Sequence, residues 1–364
     1  MDFGARWERS IGMGLLLAAL AVSPARGETD LLGPLRIRDM TPFNLLRLDM
    51  LPAHAVAAGR GSWAIEADMA YANTFVMSAN VRDYLEARGG GRRRLTQADA
   101  DAILAMGEDA YYVDGEFGLL ELTFHDRVTP RSSVYMTLTG YNFTGGIFDG
   151  TIENFHRTFG LDNGGRDMAA RNAFQVVSSL EGVDLALLAP PVDSGLGDPV
   201  FGFRHARPLG RSRFGIVLDG EAKLALRGER LLLSTGTDDY GLQASLQGKF
   251  RRQAVYVSTS FVWTDGRVLG VKLDRQVVPT LTAAYEVGIT RRTNGIVQVY
   301  ASQSTVQDST IEEIKANKYQ ASLGLRTRRG HLVYGFAVTE NLKNFANTPD
   351  VGLSLTVAWL SLRP

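Results

Sequence analysis

Residues 351–359 read V-G-L-S-L-T-V-A-W, with Val351, Leu353, Leu355, Val357 and Trp359 on one parity and Gly352, Ser354, Thr356 and Ala358 on the other. Successive side chains of a strand point to opposite faces, so this stretch predicts a strand with one apolar and one small or polar face. The same period recurs upstream. Trp63, Ile65, Ala67, Met69 and Tyr71 oppose Glu66 and Asp68, and Leu281, Ala283, Tyr285, Val287 and Ile289 oppose Thr282, Glu286 and Gly288. Residues 214–226 place Asp219, Glu221 and Lys223 on the polar face, and residues 240–250 place Gln243, Ser245, Gln247 and Lys249 there. Weaker copies lie at 112–124, 132–142, 199–207, 254–263, 295–304, 318–326 and 331–339. The sum is about twelve strands, an even number of the kind closed barrels use.

Alternation alone also fits a β-sandwich or a lipocalin-like barrel. The connections discriminate. Those at 125–131, 208–212, 251–253, 290–294 and 327–330 are short, and those at 76–110, 143–198, 227–239, 264–279, 305–317 and 340–349 are long, in strict alternation. A transmembrane β-barrel has this pattern, with tight periplasmic turns and extended external loops. Aromatic side chains favour the two membrane interfaces. In this topology Trp63, Phe124, Phe214, Phe250 and Trp359 fall at the periplasmic rim, and Tyr71, Tyr240, Trp263 and Tyr319 at the external one. The expected fold is therefore all-β, an antiparallel transmembrane barrel spanning residues 61–364 with one loop helix.

Residues 1–27 carry Arg6 and Arg9, an apolar run from Ile11 to Val22, and small residues around Pro24. This is the layout of a cleaved signal peptide, with the mature chain expected to begin near Glu28. The run is too short for a membrane-spanning helix. Residues 28–60 follow as either a periplasmic lead-in or an inserted plug, with Pro42 and Pro52 flanking the apolar run Phe43–Leu48. The expected address is the outer membrane of a Gram-negative bacterium.

The chain of 364 residues has 39 Lys+Arg against 39 Asp+Glu and no Cys. Zero net charge removes the electrostatic footprint of a nucleic-acid binder, and a 45% hydrophobic content excludes disorder. Without Cys there is neither disulfide nor thiolate chemistry. No metal-ligand spacing stands out, and no cofactor is expected.

The segment 145–166, G-G-I-F-D-G-T-I-E-N-F-H-R-T-F-G-L-D-N-G-G-R, stands with G-P-L-R-I-R-D at 33–39, D-G-E at 114–116, T-E-N at 339–341 and N-T-P-D-V-G ending at Gly352. Together they resemble the Gram-negative domain-of-unknown-function family 3187, from about Gly33 to the C-terminus. The resemblance implies an outer-membrane barrel and an address, and no activity or catalytic residue.

On its own chemistry, Asp149–Phe159 predicts a short helix with Asp149 as N-cap, Gly160 as terminator, an apolar stripe of Ile152, Phe155 and Phe159, and a Glu153–Arg157 pair. It is expected either to enter the lumen as a constriction presenting Glu153, His156 and Arg166, or to cap the barrel mouth. Lumenal candidates on the strands are Glu66, Asp68, Glu121, Arg204, Asp219, Glu221, Lys223, Lys249, Glu286 and Arg326. Mixed signs favour ion-pair networks or a polar conduit over a single-sign pore. Arg92, Arg93 and Arg94 precede a helical stretch from Gln97 to Met106 and are either lipopolysaccharide contacts or a solvated loop. The Arg residues of the short turns read as wet periplasmic turns.

Three functions follow. The first is a narrow channel or uptake protein for an unidentified small solute. The second is a non-conducting structural or lipopolysaccharide-interacting barrel. The third is an outer-membrane hydrolase, for which His156 is the plausible general base because His54, His125, His205 and His331 lie before the barrel or at its periplasmic turns. Expected partners are outer-membrane lipids, lipopolysaccharide and, during biogenesis, the barrel-insertion machinery.

Overall fold

The computed structural model describes residues 30–53, 63–89, 91–107, 110–160, 163–180, 182–209, 213–307, 312–343 and 351–361. The expected signal segment 1–27, His54 and the side chains of Phe155 and Phe159 lie outside the described residues.

In chain order the strands are β1 (Trp63–Met77), β2 (Tyr111–Thr129), β3 (Ser132–Thr144), β4 (Gln175–Leu180), β5 (Val183–Leu187), β6 (Ser194–Leu196), β7 (Val200–Pro208) and β8 (Phe214–Lys223). After the small ladder of β9 (Glu229–Arg230) and β10 (Ser234–Thr235) come β11 (Asp239–Phe250), β12 (Gln253–Val268), β13 (Val271–Gly288), β14 (Thr293–Ser302), β15 (Lys318–Arg329), β16 (Leu332–Lys343) and β17 (Val351–Leu360). Twelve of them, all but β4, β5, β6, β9 and β10, close into an antiparallel barrel. β1 seals it against β17, from Ala64 opposite Leu360 to Asn73 opposite Val351.

Closure pairs every wall strand on both sides, which is what hydrocarbon demands of a β-structure. The outward faces form an exposed apolar belt that includes Leu120, Phe203, Leu242, Phe261, Leu281, Leu325 and Leu355. So large an apolar surface is stable against lipid and not against water. At the short-turn rim Trp63 lies against Trp359 with ring centroids 4.3 Å apart, and Phe214 meets Phe250 edge-on at 6.1 Å. At the opposite rim Tyr240 pairs across strands with Trp263.

The long loops build more structure than the two expected helical stretches, at 97–106 and 149–159. Helices α1 (Ala79–Ala87), α2 (Gln97–Leu104), α3 (Asp149–Phe159) and α4 (Glu312–Lys315) all lie there. α2 begins with a capping box in which Thr96 and Asp99 bond reciprocally. β1 and β2 continue past the barrel as far as Met77 opposite Tyr112, and β4 takes over from β3 as the partner of the upper β2 at Tyr111–Asp114. The β12–β13 hairpin also overshoots, turning at Leu269 (φ 52°) and Gly270 (φ 81°), a pair of positive φ angles that matches the twist of a two-residue hairpin.

Two apolar layers flank the upper β1–β2 sheet. On its outer face Phe75, Met77 and Tyr112 pack with Val81, Leu85, Ile103 and Met168. On its inner face Phe117, Leu119, Tyr141 and Phe143 join Leu232, Val268, Leu269, Val271, Leu273, Val306 and Ile314 from the other long loops, forming a roof over the lumen.

Candidate functional site

The inward faces of the barrel carry charge, and a segment of the chain itself meets it. Asp30–Ala53 runs as a strap through the lumen. Near the short-turn rim the Asp30 carbonyl accepts from Asn294 Nδ2 at 2.6 Å. The Glu286 carboxylate accepts the backbone N–H groups of Leu32 (2.6 Å) and Gly33 (3.1 Å) and the Tyr256 hydroxyl (2.6 Å), while Arg326 donates to the Leu32 carbonyl at 2.9 Å. Higher up, Arg36 donates to Asp68 at 2.7 Å and lies 3.3 Å from Glu66, and Arg38 pairs with Glu121.

At the long-loop end the strap bends. Asp39 receives Lys318 at 3.0 Å, together with Thr41 and Asn44, and holds the bend closed. Arg38 ties its two arms by donating to the carbonyls of Leu45 (2.9 Å) and Arg47 (2.7 Å). Met40, Phe43, Leu45 and Leu46 press into the roof cluster. On the way down Arg47 bonds Tyr300 and Ser302, Asp239 accepts the Leu48 N–H at 2.8 Å, and Gln243 donates to the Leu51 carbonyl at 3.0 Å. Ala53 ends against Ala206 and Val217, back toward the short turns.

Glycines in the wall make room for this passenger. A Cβ at Gly324 would sit 2.6 Å from Leu35 Cδ2, and one at Gly241 2.6 Å from Met50 Sδ. Each glycine lets the end of a strap side chain approach the wall closely, and an added methyl would have to displace that side chain.

Every expected strand candidate points inward. Glu66, Asp68 and Glu121 face the ascending arm, Glu286 and Arg326 its start, and Lys223 the descending arm through the Leu46 carbonyl (2.9 Å) and Asp239 (2.8 Å). Glu66 also lies 3.7 Å from His125 and 3.9 Å from Arg326. Asp219 pairs with Arg204 at 2.7 Å, and the Tyr135 hydroxyl stands 2.7 Å from Asp219 and 2.6 Å from Glu221. One hydroxyl proton serves one acceptor at a time, so the Tyr135 hydroxyl donates to one of these two carboxyl groups at any moment. Lys249 lies on β11 next to the short-turn rim.

The expected lumenal helix is elsewhere. Asn73, Asp114 and Glu116 have the outward parity of β1 and β2, opposite to Asp68 and Glu121, and α3 docks against that outer side above the apolar belt. Asp149, Glu153, His156 and Arg166 therefore lie on the outward-facing side of the upper sheet and not on its lumen-facing side. Arg166 bonds Asp149 (2.9 Å) and Asn73 (2.6 Å), with its guanidinium 4.6 Å from the Phe75 ring centroid. The N-cap is Phe148 rather than Asp149, because Asp149 is engaged by Arg166 and by the Asn172 N–H (2.8 Å). Glu116 caps the entry instead, accepting from Ile147 (2.9 Å) and Phe148 (2.7 Å).

Glu153 pairs not with Arg157 but with Arg171 (2.6 Å) and Arg92 (2.8 Å), which reach it from other loops. Gly160 does terminate the helix, in the left-handed region at φ 68°. His156 is half-buried on α3, and the Arg93 and Arg94 side chains are exposed. Gly146 has φ 78°, and a Cβ there would lie 1.7 Å from the Glu116 carboxyl carbon. D-G-E at 114–116 and G-G-I-F-D-G at 145–150 thus interlock in space.

Residues the sequence reading missed are those of the strap: Arg36, Arg38, Asp39, Arg47 and Asp49, with Lys318 and Asp239 on the wall. The available signal was a polar one. Two Arg–Asp runs, R-I-R-D at 36–39 and R-L-D at 47–49, stand inside a segment otherwise apolar enough to be buried.

The fold and occupied lumen define an outer-membrane-type β-barrel. The family described as a protein of unknown function, DUF3187, matches residues 13–359, and the chain belongs to it. No curated protein sequence matches the chain. Among solved structures, the COG4313 outer-membrane channel from Pseudomonas putida F1 is similar at TM-score 0.51 and 11% identity, over 85% of this chain and 99% of that one. The P. putida toluene transporter TodX matches at TM-score 0.42 and 8% identity over 85% and 95%. The NanC porin matches at 0.41 and 9% over 68% and 94%. At 11% identity the similarity to the COG4313 channel is one of fold alone.

Proposed function

We propose that this protein is an outer-membrane channel or uptake protein for a small solute, and that the strap Asp30–Ala53 is the plug that closes it. The supporting observation is the way the strap is held. Its apolar side chains pack in the roof and in small clusters along the bore, while its charged groups are fastened by ion pairs and hydrogen bonds to wall charges that water could solvate in its absence. Such contacts are exchangeable for water at low net cost, unlike a packed core. The roof rests on the bend of the strap, so displacing the strap also removes the floor of the roof. The architecture shared with a known outer-membrane channel agrees with this reading and with an outer-membrane address.

Planar-bilayer conductance of the refolded protein tests it. The full chain is expected to conduct in small or intermittent steps, and a variant lacking residues 30–53 to conduct steadily at several-fold higher amplitude. Replacing 149–166 by a Gly/Ser linker is expected to leave the amplitude unchanged, since that segment lies outside the wall. Silence of both the full chain and the strap deletion would refute the channel.

A second reading, lipopolysaccharide binding, is favoured by the exposure of Arg93 and Arg94 on the long-loop side. Arg92 is engaged with Glu153 and the Arg166 carbonyl. Arg93→Ala/Arg94→Ala is expected to weaken lipopolysaccharide binding, and undiminished binding would remove this role.

A further inference from the structure

At the short-turn rim, the β13–β14 and β15–β16 turns enclose a cleft of about 580 Å³. Arg291 and Arg292 line it from one turn, Arg328 and Arg329 from the other, and Asp30, the start of the strap, closes its inner end. The two turns are locked in register. Arg328 N–H donates to the Arg292 carbonyl at 2.8 Å, and the Thr293 and Thr327 hydroxyls lie 3.0 Å apart.

Four guanidiniums meet one carboxylate here. Arg328 lies 3.3 Å from Asp30 and donates through Nε to the Gly330 carbonyl at 3.1 Å. Among the described residues, the guanidiniums of Arg291, Arg292 and Arg329 make no hydrogen bond or ion pair, and the Arg291, Arg292 and Arg329 side chains are exposed. The neighbouring turn handles one of its two arginines otherwise, since Arg252 is buried and donates to the carbonyls of Gly288 (2.9 Å) and Thr290 (3.0 Å).

We propose that this cleft binds a phosphate-bearing anion in competition with the Asp30 carboxylate. Uncompensated like charges repel, and a group of more than one negative charge relieves several at once. Phosphate offers oxygens in the geometry that guanidinium forks take up in pairs, and the threonine hydroxyls add neutral donors. The opening on the rim suits either the headgroup of an anionic phospholipid in the adjoining leaflet or a soluble phosphate. An anion on Arg328 releases Asp30, so occupancy loosens the first contact of the strap with the wall. The site itself stands whether or not the barrel conducts.

The test uses the full chain refolded in neutral detergent. Inorganic pyrophosphate is titrated by calorimetry, and phosphatidic acid is compared with phosphatidylcholine by native mass spectrometry. Saturable binding of pyrophosphate, of phosphatidic acid or of both is expected, weakening as salt is raised, and the pattern tells a soluble source from a lipid one. Arg291→Ala/Arg292→Ala should weaken it at least ten-fold. Arg291→Lys/Arg292→Lys, which keeps the charge and loses the fork, should weaken it less and covers the case in which the alanine pair fails to fold. Arg127→Ala/Arg131→Ala, in a turn away from the cleft, should leave binding unchanged, and Asp30→Asn should tighten it several-fold. The proposal is overturned if neither probe binds saturably, if the Arg127/Arg131 variant loses as much as the Arg291/Arg292 variant, or if Asp30→Asn fails to tighten binding.

Discussion

The lumen and the outer flank of the upper sheet both bury arginine–carboxylate networks, yet they are built on opposite plans. On the flank, Arg166, Asp149, Asn73 and Glu116 come from loops and strands that are anchored on both sides. Breaking one contact leaves the remaining charges where they were, still shielded from water. In the lumen the pairs Arg36–Asp68, Arg38–Glu121 and Lys318–Asp39 each have one partner on the strap. If Arg38 is lost, Glu121 need not stay buried, because the strap can withdraw and water can enter. The cost of a broken pair is then limited to the free energy that docks the strap. A buried ion pair is as costly to break as its surroundings are unable to move.

The largest effect is accordingly expected at Arg166. Arg166→Ala leaves Asp149 buried without its cation and should lower stability by about 3–5 kcal/mol, the range for breaking a buried pair, read from urea unfolding in vesicles followed by Trp fluorescence. Gly146→Ala follows, since it combines a left-handed backbone with a clash against Glu116. A loss of about 1–3 kcal/mol is expected by the same measurement.

Arg38→Ala sharpens the contrast. Barrel stability should change by less than about 1 kcal/mol, because a released strap lets water solvate Glu121, while bilayer conductance rises. If Arg38→Ala instead destabilises the barrel as much as Arg166→Ala and stays silent, the strap is part of the core and the contrast collapses.

The smallest effect concerns pH at the long-loop end. Burial works to raise the Glu153 carboxyl, but Arg171 and Arg92 outweigh it and hold the group below its ordinary range. Burial likewise opposes ionisation of Asp99, and the Thr96 N–H and Arg88 overcome it. Both folded values are depressed, so these groups contribute stability in full above their unfolded values of about 4, and lose it as pH falls through the lowered folded ones. Protease cleavage of the long loops should therefore accelerate between about pH 4 and 2. Glu153→Gln should flatten part of that dependence, and an unchanged profile would show that the pairing of Glu153 is not what stabilises α3.

The barrel was legible because lipid imposes a period of two on every wall strand, and a period survives without knowledge of partners. Loop lengths then oriented it. The inward residues were legible for the same reason, as the opposite parity of the same strands. What the lumen contains was legible only as one of two alternatives for residues 28–60, a lead-in or an inserted plug, because the strap has no period and its partners are remote, Arg38 and Glu121 standing 83 residues apart and Asp39 and Lys318 279 apart. α3 was legible as a helix but not by position. Its stripe called for a wall, and the upper β1–β2 sheet offers two faces; the outer one wins because Glu116 and Asn73 supply it with polar partners while Phe117 and Leu119 face the roof.

The strap enters and returns on the same side. Both Asp30 and Ala53 lie toward the short turns, with the bend at the far end. A segment laid out in this way need not be threaded during assembly. The wall can zip shut from β1 to β17 around an empty bore, and the doubled segment can slide in afterwards like a bolt into its housing. Insertion into the membrane and occlusion of the bore are thus separable events, and a barrel halted between them would be complete in outline and open along its axis.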